Sequence, residues 1–133
     1  KLEGEWKEYS FCELRCFYVN GKREGEVKLW YHNGQLKEHS HYVNGELEGE
    51  YKSWYANGLL RERYTYINGK YEGQYRSWYA NGQKKEQSSY LNGTLDGEYS
   101  KWYKSGNLEE QGSYVNGKLK KQCKHDFITQ YCF

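Results

Sequence analysis

An Asn-Gly pair returns along this chain with a regularity that leaves few folds open. Asn20-Gly21, Asn44-Gly45, Asn68-Gly69, Asn92-Gly93 and Asn116-Gly117 stand 24 residues apart, and Tyr18, Tyr42, Tyr66, Tyr90 and Tyr114 each lie two residues before the Asn. Gly25, Gly49, Gly73 and Gly97 share the period, as do Trp30, Trp54, Trp78 and Trp102, each followed by Tyr. A second turn signal falls between them, at Asn33-Gly34, Asn57-Gly58, Asn81-Gly82 and Ser105-Gly106. A fixed period of this length marks an array in which one supersecondary unit stacks on the next.

Each unit reads as a hairpin. Asn-Gly between two alternating runs predicts a type I′ turn, because both central residues of that turn need φ > 0. The turns alternate at spacings of 13 and 11 residues, which leaves strands of about eight or nine residues. Proline is absent, as a continuous ladder prefers. The prediction is an all-β fold: an elongated, single-layer antiparallel meander of repeated β-hairpins. Two-residue turns would set Tyr42 against Leu47, Ser40 against Gly49 and Glu38 against Tyr51. They would likewise set Tyr55 against Leu60, Tyr51 against Tyr64 and Gly49 against Tyr66. One face then carries Tyr, Leu, small residues and the recurring Glu38, Glu62, Glu86 and Glu110. Gly25, Gly49, Gly73 and Gly97 would sit beneath the rings of Tyr42, Tyr66 and Tyr90 and their equivalents, so a larger residue there should overpack. The other face sets His39 against Glu50, His41 against Glu48 and Trp54 against Arg61.

Composition supports a thin core. Leu, Ile and Val are sparse, but there are 16 Tyr, 5 Trp and 4 Phe, and rings on a pleated surface bury area without a thick interior. A deep apolar pocket for a small-molecule substrate is not expected. The formal charge of +2 comes from interleaved acids and bases, which argues against a nucleic-acid footprint. No apolar run reaches the ~20 residues that span a bilayer. The start at Lys1-Leu2 points to a processed product or a piece of something longer.

The unit Gly-Glu-Tyr-x-x-Trp-Tyr-x-Asn-Gly, followed by Tyr-x-Asn-Gly-x-x-x-Gly, resembles the variant MORN repeat, a type also associated with bacterial antitoxin-like proteins. The resemblance covers about residues 22–117. The first unit, Gly4 to Tyr18, is three residues short and has no Asn-Gly turn, while the last has Asp126 where Trp should stand. This divides the chain into an irregular capping hairpin (1–21), the repeats (22–117) and a cap or tail (118–133). The resemblance implies a twisted sheet that works by protein–protein contact, with membrane-lipid binding in some members.

The residues themselves offer little chemistry. Paired catalytic carboxylates need unlike environments, whereas the four recurring Glu repeat one environment and are expected to accept hydrogen bonds from Tyr hydroxyls. His39 and His41 have a spacing that can seed a metal site, but cross-strand charge pairing is the expectation, and no metal or cofactor is assigned. Cys12 and Cys16 are too far apart on a strand to bond. Cys16 should face Gly25 as a small buried group, and Cys123 and Cys132 approach only if the tail folds back. Reduced thiols in an intracellular setting are expected. The reading is therefore a non-enzymatic scaffold for a protein partner or another copy of itself, cytoplasmic or part of a virus particle or cytoskeletal structure. Its surface would be Trp30, Trp54, Trp78, Trp102, Arg61, Arg63 and Arg76. The alternative is peripheral binding to anionic lipid through the basic cluster Lys118, Lys120, Lys121, Lys124 and His125.

Overall fold

The computed structural model describes residues 5–7, 14–126 and 129–133, and among these there is no helix. The strands begin with β1 (Glu5–Lys7), β2 (Leu14–Val19), β3 (Lys22–Trp30), β4 (Leu36–Val43), β5 (Glu46–Leu47), β6 (Gly49–Trp54), β7 (Leu60–Ile67) and β8 (Lys70–Tyr71). They continue with β9 (Gly73–Trp78), β10 (Lys84–Leu91), β11 (Thr94–Leu95), β12 (Gly97–Trp102), β13 (Leu108–Val115), β14 (Lys118–His125) and β15 (Gln130–Cys132). All belong to one antiparallel sheet in sequential order, as predicted. The short strands β5, β8 and β11 are the leading ends of β6, β9 and β12, set off by the glycine that comes next.

The two Asn-Gly turns of a repeat differ. At Asn44-Gly45 both residues have positive φ, 52° and 82°, the expected type I′ turn. At Asn57-Gly58 only Gly58 does, at 89°. There Gly58 N donates to Tyr55 O at 2.9 Å and Tyr55 N to Leu59 O at 2.9 Å, a type I turn closed by a glycine bulge. This corrects the prediction of two-residue turns throughout. The longer turn slips the register at the strand end, so Trp54 faces Leu60 rather than Arg61, while Gly49–Tyr66 and Tyr51–Tyr64 pair as predicted.

A second slip lies at the strand glycines. Tyr42 faces Leu47 as predicted, but Glu38 faces Ser53 rather than Tyr51, and His39 faces Lys52 rather than Glu50. Two extra residues are taken up around Gly49, whose φ is 92°. Glu48 N still donates to His41 O at 2.8 Å, so the predicted neighbourhood of those two residues holds. Tyr42, Tyr66 and Tyr90 do face Gly25, Gly49 and Gly73. The reason for the glycine is another matter: a Cβ on Gly25, Gly49 or Gly73 would meet nothing within 4 Å, so backbone handedness, not the ring, demands it.

The kink gives the preceding acid a task. Glu24, Glu48, Glu72 and Asp96 each accept the backbone N–H of the Asn that opens the next repeat's turn, at Asn44, Asn68, Asn92 and Asn116. On the opposite edge, the hydroxyls of Tyr31, Tyr55 and Tyr79 donate to the carbonyls of Trp54, Trp78 and Trp102 at 2.6–2.7 Å. Asn33, Asn57 and Asn81 donate to Ala56, Ala80 and Lys104 at 2.8 Å. Every one of these bonds joins one repeat to the next.

The tyrosine face supplies what core there is. Tyr64 stacks between Tyr51 and Tyr75, at ring separations of 4.5 and 5.9 Å, and Tyr66, Tyr71 and Tyr90 form a tilted group beside it. Val27, Ser40, Ser53, Ser77, Ser88 and Tyr99 are the buried residues of this face. Burial raises the Tyr51, Tyr75 and Tyr99 phenols to about 12 and pushes Tyr64 and Tyr71 up as well. The recurring acids lie among them as expected: Glu110 accepts from the Tyr99 hydroxyl at 2.9 Å and from the Gln122 amide. Burial alone would raise its pKa, but those donors win and the net shift is downward. Gly112 differs from the other strand glycines, because a Cβ there would run into the Lys121 carbonyl and the Tyr99 ring.

At the end of the sheet β15 folds back along β14, setting Cys132 directly across from Cys123, and the two form a disulfide. For this pair the expectation of reduced thiols is corrected: the tail folds back as a final strand, the condition under which the two could approach. Tyr131 and Phe133 stay exposed. Cys12, Phe127 and Ile128 lie outside the described residues, as does the Cys16 side chain. The backbone slips in register just where Cys16 would have faced Gly25.

Two outcomes are expected. At Gly73, Asn should cost less stability than Ala, and Val most, because Asn tolerates positive φ while Ala pays about 1–2 kcal/mol; chemical denaturation measures the order, and Asn costing more than Ala would restore the crowding explanation. Phenols whose pKa is raised on folding contribute stability below pH ~10 that is lost as pH rises through their folded values. Tyrosinate absorbance and circular dichroism should therefore change together above pH ~10, with unfolding before all phenols have ionised.

Candidate interaction surface

The tyrosine face is occupied by its own rings, and charged side chains such as Lys52 and Arg63 lie on the other face. Register places Lys28, His39, Lys52, Arg63, Arg76, Gln87, Ser100 and Gln111 in one row across successive strands. Lys52, Arg63 and Arg76 are consecutive members of it. Like charges directly opposite each other cost up to about 1 kcal/mol per pair, so their juxtaposition needs a counter-charge. Glu50 supplies part of it, 2.9 Å from Lys52 Nζ and 2.9 Å from an Arg63 guanidinium nitrogen. The hydrogen bond from Lys52, then that from Arg63, hold its carboxyl below the usual range against a desolvation that works the other way. Arg76 donates to the Gln74 amide, and among the described residues no carboxylate pairs with it.

Of the seven residues expected to form a surface, the structure brings together Arg63, Arg76 and Trp78. Arg63 and Arg76 line one shallow hollow of about 220 Å³ with Glu50 and Gln74. Arg76 also lines the next, of about 250 Å³, with Trp78, Lys84 and Gln87. Arg61 stands apart, 5.9 Å above the Tyr55 ring. Trp30, Trp54, Trp78 and Trp102 do not form an exposed row. All four are half-buried at the strand ends, and Lys84 lies 5.6 Å over the Trp102 ring. The sequence hid the reason: each Tyr that comes after a Trp reaches across the period, and only its recurrence hinted at a structural role.

An open sheet built of hairpins that touch only their neighbours defines a repeat protein. The model of the MORN repeat variant matches residues 23–44, 47–68, 71–92 and 95–116, and the chain belongs to this family. No curated protein matches it.

Proposed function

We propose that the chain is a non-catalytic scaffold that docks an acidic protein surface along the row Lys52, Arg63 and Arg76. The carrying observation is three cations in register on an open face with one carboxylate shared between two of them, so an incoming acidic group relieves repulsion the fold leaves in place. Family membership supports the class of function, since MORN repeats commonly serve protein or membrane interactions. The half-buried Trp78 beside Arg76 adds an apolar anchor of the kind interfaces favour.

A second reading rests on a different region. Lys118, Lys120, Lys121 and Lys124 are all exposed on β14, and Leu119, Tyr131 and Phe133 are exposed nearby, an arrangement suited to an anionic membrane surface.

One experiment tests the first reading: affinity capture from the native source with the full chain and with an Arg63→Glu, Arg76→Glu variant whose melting is checked first. The expected outcome is a partner held by the parent chain, lost by the variant and weakened by salt. A partner retained equally by both overturns the assignment of this row. Co-sedimentation with anionic vesicles, salt-sensitive and abolished by replacing the β14 lysines but not the arginines, would favour the membrane reading.

A further inference from the structure

The repeats agree at the positions that hold them together and diverge elsewhere, so a chemically distinctive divergence is informative. One occurs between β3 and β4. Glu26 faces His41 in register, and Lys28 faces His39. The corresponding trio in the later repeats is Glu50, Arg63 and Thr65, then Gln74, Gln87 and Ser89, then Glu98, Gln111 and Ser113. Only one repeat of this run has two imidazoles beside the carboxylate.

The three side chains converge. His39 Nε2 lies 2.6 Å from Glu26 Oε1, the two imidazole rings are 5.1 Å apart, and one donor atom from each residue falls within 4.8 Å of the others. Residues i and i+2 of a strand share a face, so His39 and His41 need no backbone change to point together. Ligands on a common zinc at about 2.0–2.1 Å from the ion stand roughly 3.4 Å apart in tetrahedral geometry, a closure that small side-chain rotations supply. Glu26 and His41 are exposed and His39 half-buried, which gives an ion access from solvent.

We infer that Glu26, His39 and His41 form a binding site for a divalent transition-metal ion of the zinc type, with a fourth position open to water. Two borderline imidazole nitrogens beside one hard carboxylate oxygen make a set that suits Zn(II) and its first-row neighbours better than Mg(II) or Ca(II), which prefer oxygen ligands throughout. The competing occupant is Lys28, whose Nζ is 3.4 Å from the same Glu26 oxygen. A metal displaces that ammonium. The next repeat shows what a purely electrostatic solution to this position looks like: Arg63 bonds Glu50 at 2.9 Å, and no second imidazole is present.

The test is titration of the metal-free full chain with zinc chloride by calorimetry, and with Co(II) by visible absorption, whose band pattern reports nitrogen and oxygen ligation. The control variant is His39→Arg, His41→Thr, which installs the next repeat's own residues and is thereby expected to melt like the parent. The expected results are one ion per chain, a loss of affinity of about tenfold or more in Glu26→Gln and in His41→Thr alone, and tighter binding in Lys28→Ala. Absence of one-to-one uptake overturns the site. So does uptake that survives unchanged in the double variant, which would put the ion on other histidines or cysteines of the chain.

Discussion

What holds this molecule together is the hydrogen bond that leaves one repeat and ends in the next. A single-layer sheet has no second layer to press against, and few of the described residues are fully buried. Area burial alone would leave it marginal. The loops therefore carry structure that a sandwich would place in its core. Along one edge an acid caps the next turn's Asn N–H, and along the other a Tyr hydroxyl and an Asn amide reach the next repeat's carbonyls. These rungs satisfy backbone groups that the turns expose and fix the angle between hairpins.

The cap depends on the kink before it. Glu48 reaches Asn68 because Gly49, at positive φ, absorbs two extra residues and turns the strand. In the last hairpin the pattern lapses and the kink goes with it. Lys120 and Lys121 stand where the acid and glycine should be, only one residue is taken up, and β14 runs unbroken to His125. β15 pairs along the outer side of β14, and the Cys123–Cys132 disulfide fastens it there. Gly112 belongs to the same region: β14 carries its Lys121 carbonyl so close that no side chain fits.

The strand order was legible because Asn-Gly spacing alone determines it, and so were the pairings of Tyr42 with Leu47 beside one turn and of Gly49 with Tyr66 well away from the other. Pairing at a bulge was not, neither Trp54 with Leu60 beside the second turn nor Glu38 with Ser53 beyond the Gly49 kink, because dipeptide spacing does not show where a strand takes up extra residues. Identical dipeptides also concealed unlike turns. Asn44 takes positive φ and Asn57 does not, since the Asn57 side chain instead accepts its own loop's Leu59 N–H and donates to Ala80. A conformation chosen by contact with the next repeat cannot be read from one repeat. The same blindness misplaced the tryptophans, whose backbone carbonyls serve the rungs and whose rings are half-buried. Simple turn counting also put Glu50 beside His39, whereas the slip at Gly49 put Lys52 there, and the carboxylate that His39 meets is Glu26 on the preceding strand.

Repetition then separates the two kinds of information in the chain. The tyrosine face, the turns and the rungs recur because each repeat must offer the next the same sockets. The row on the opposite face is under no such demand, and there the residues change from Lys28, His39, Lys52, Arg63 and Arg76 to Gln87, Ser100 and Gln111. The row is thus basic over one half of the array and neutral over the other, although the scaffold beneath it is nearly constant. A charge gradient laid over a regular scaffold gives direction to an otherwise periodic surface: in the docking we propose, an acidic partner would be drawn to one end of the row, and register slippage by a whole repeat, the natural error of docking on a periodic array, would change the charge it meets.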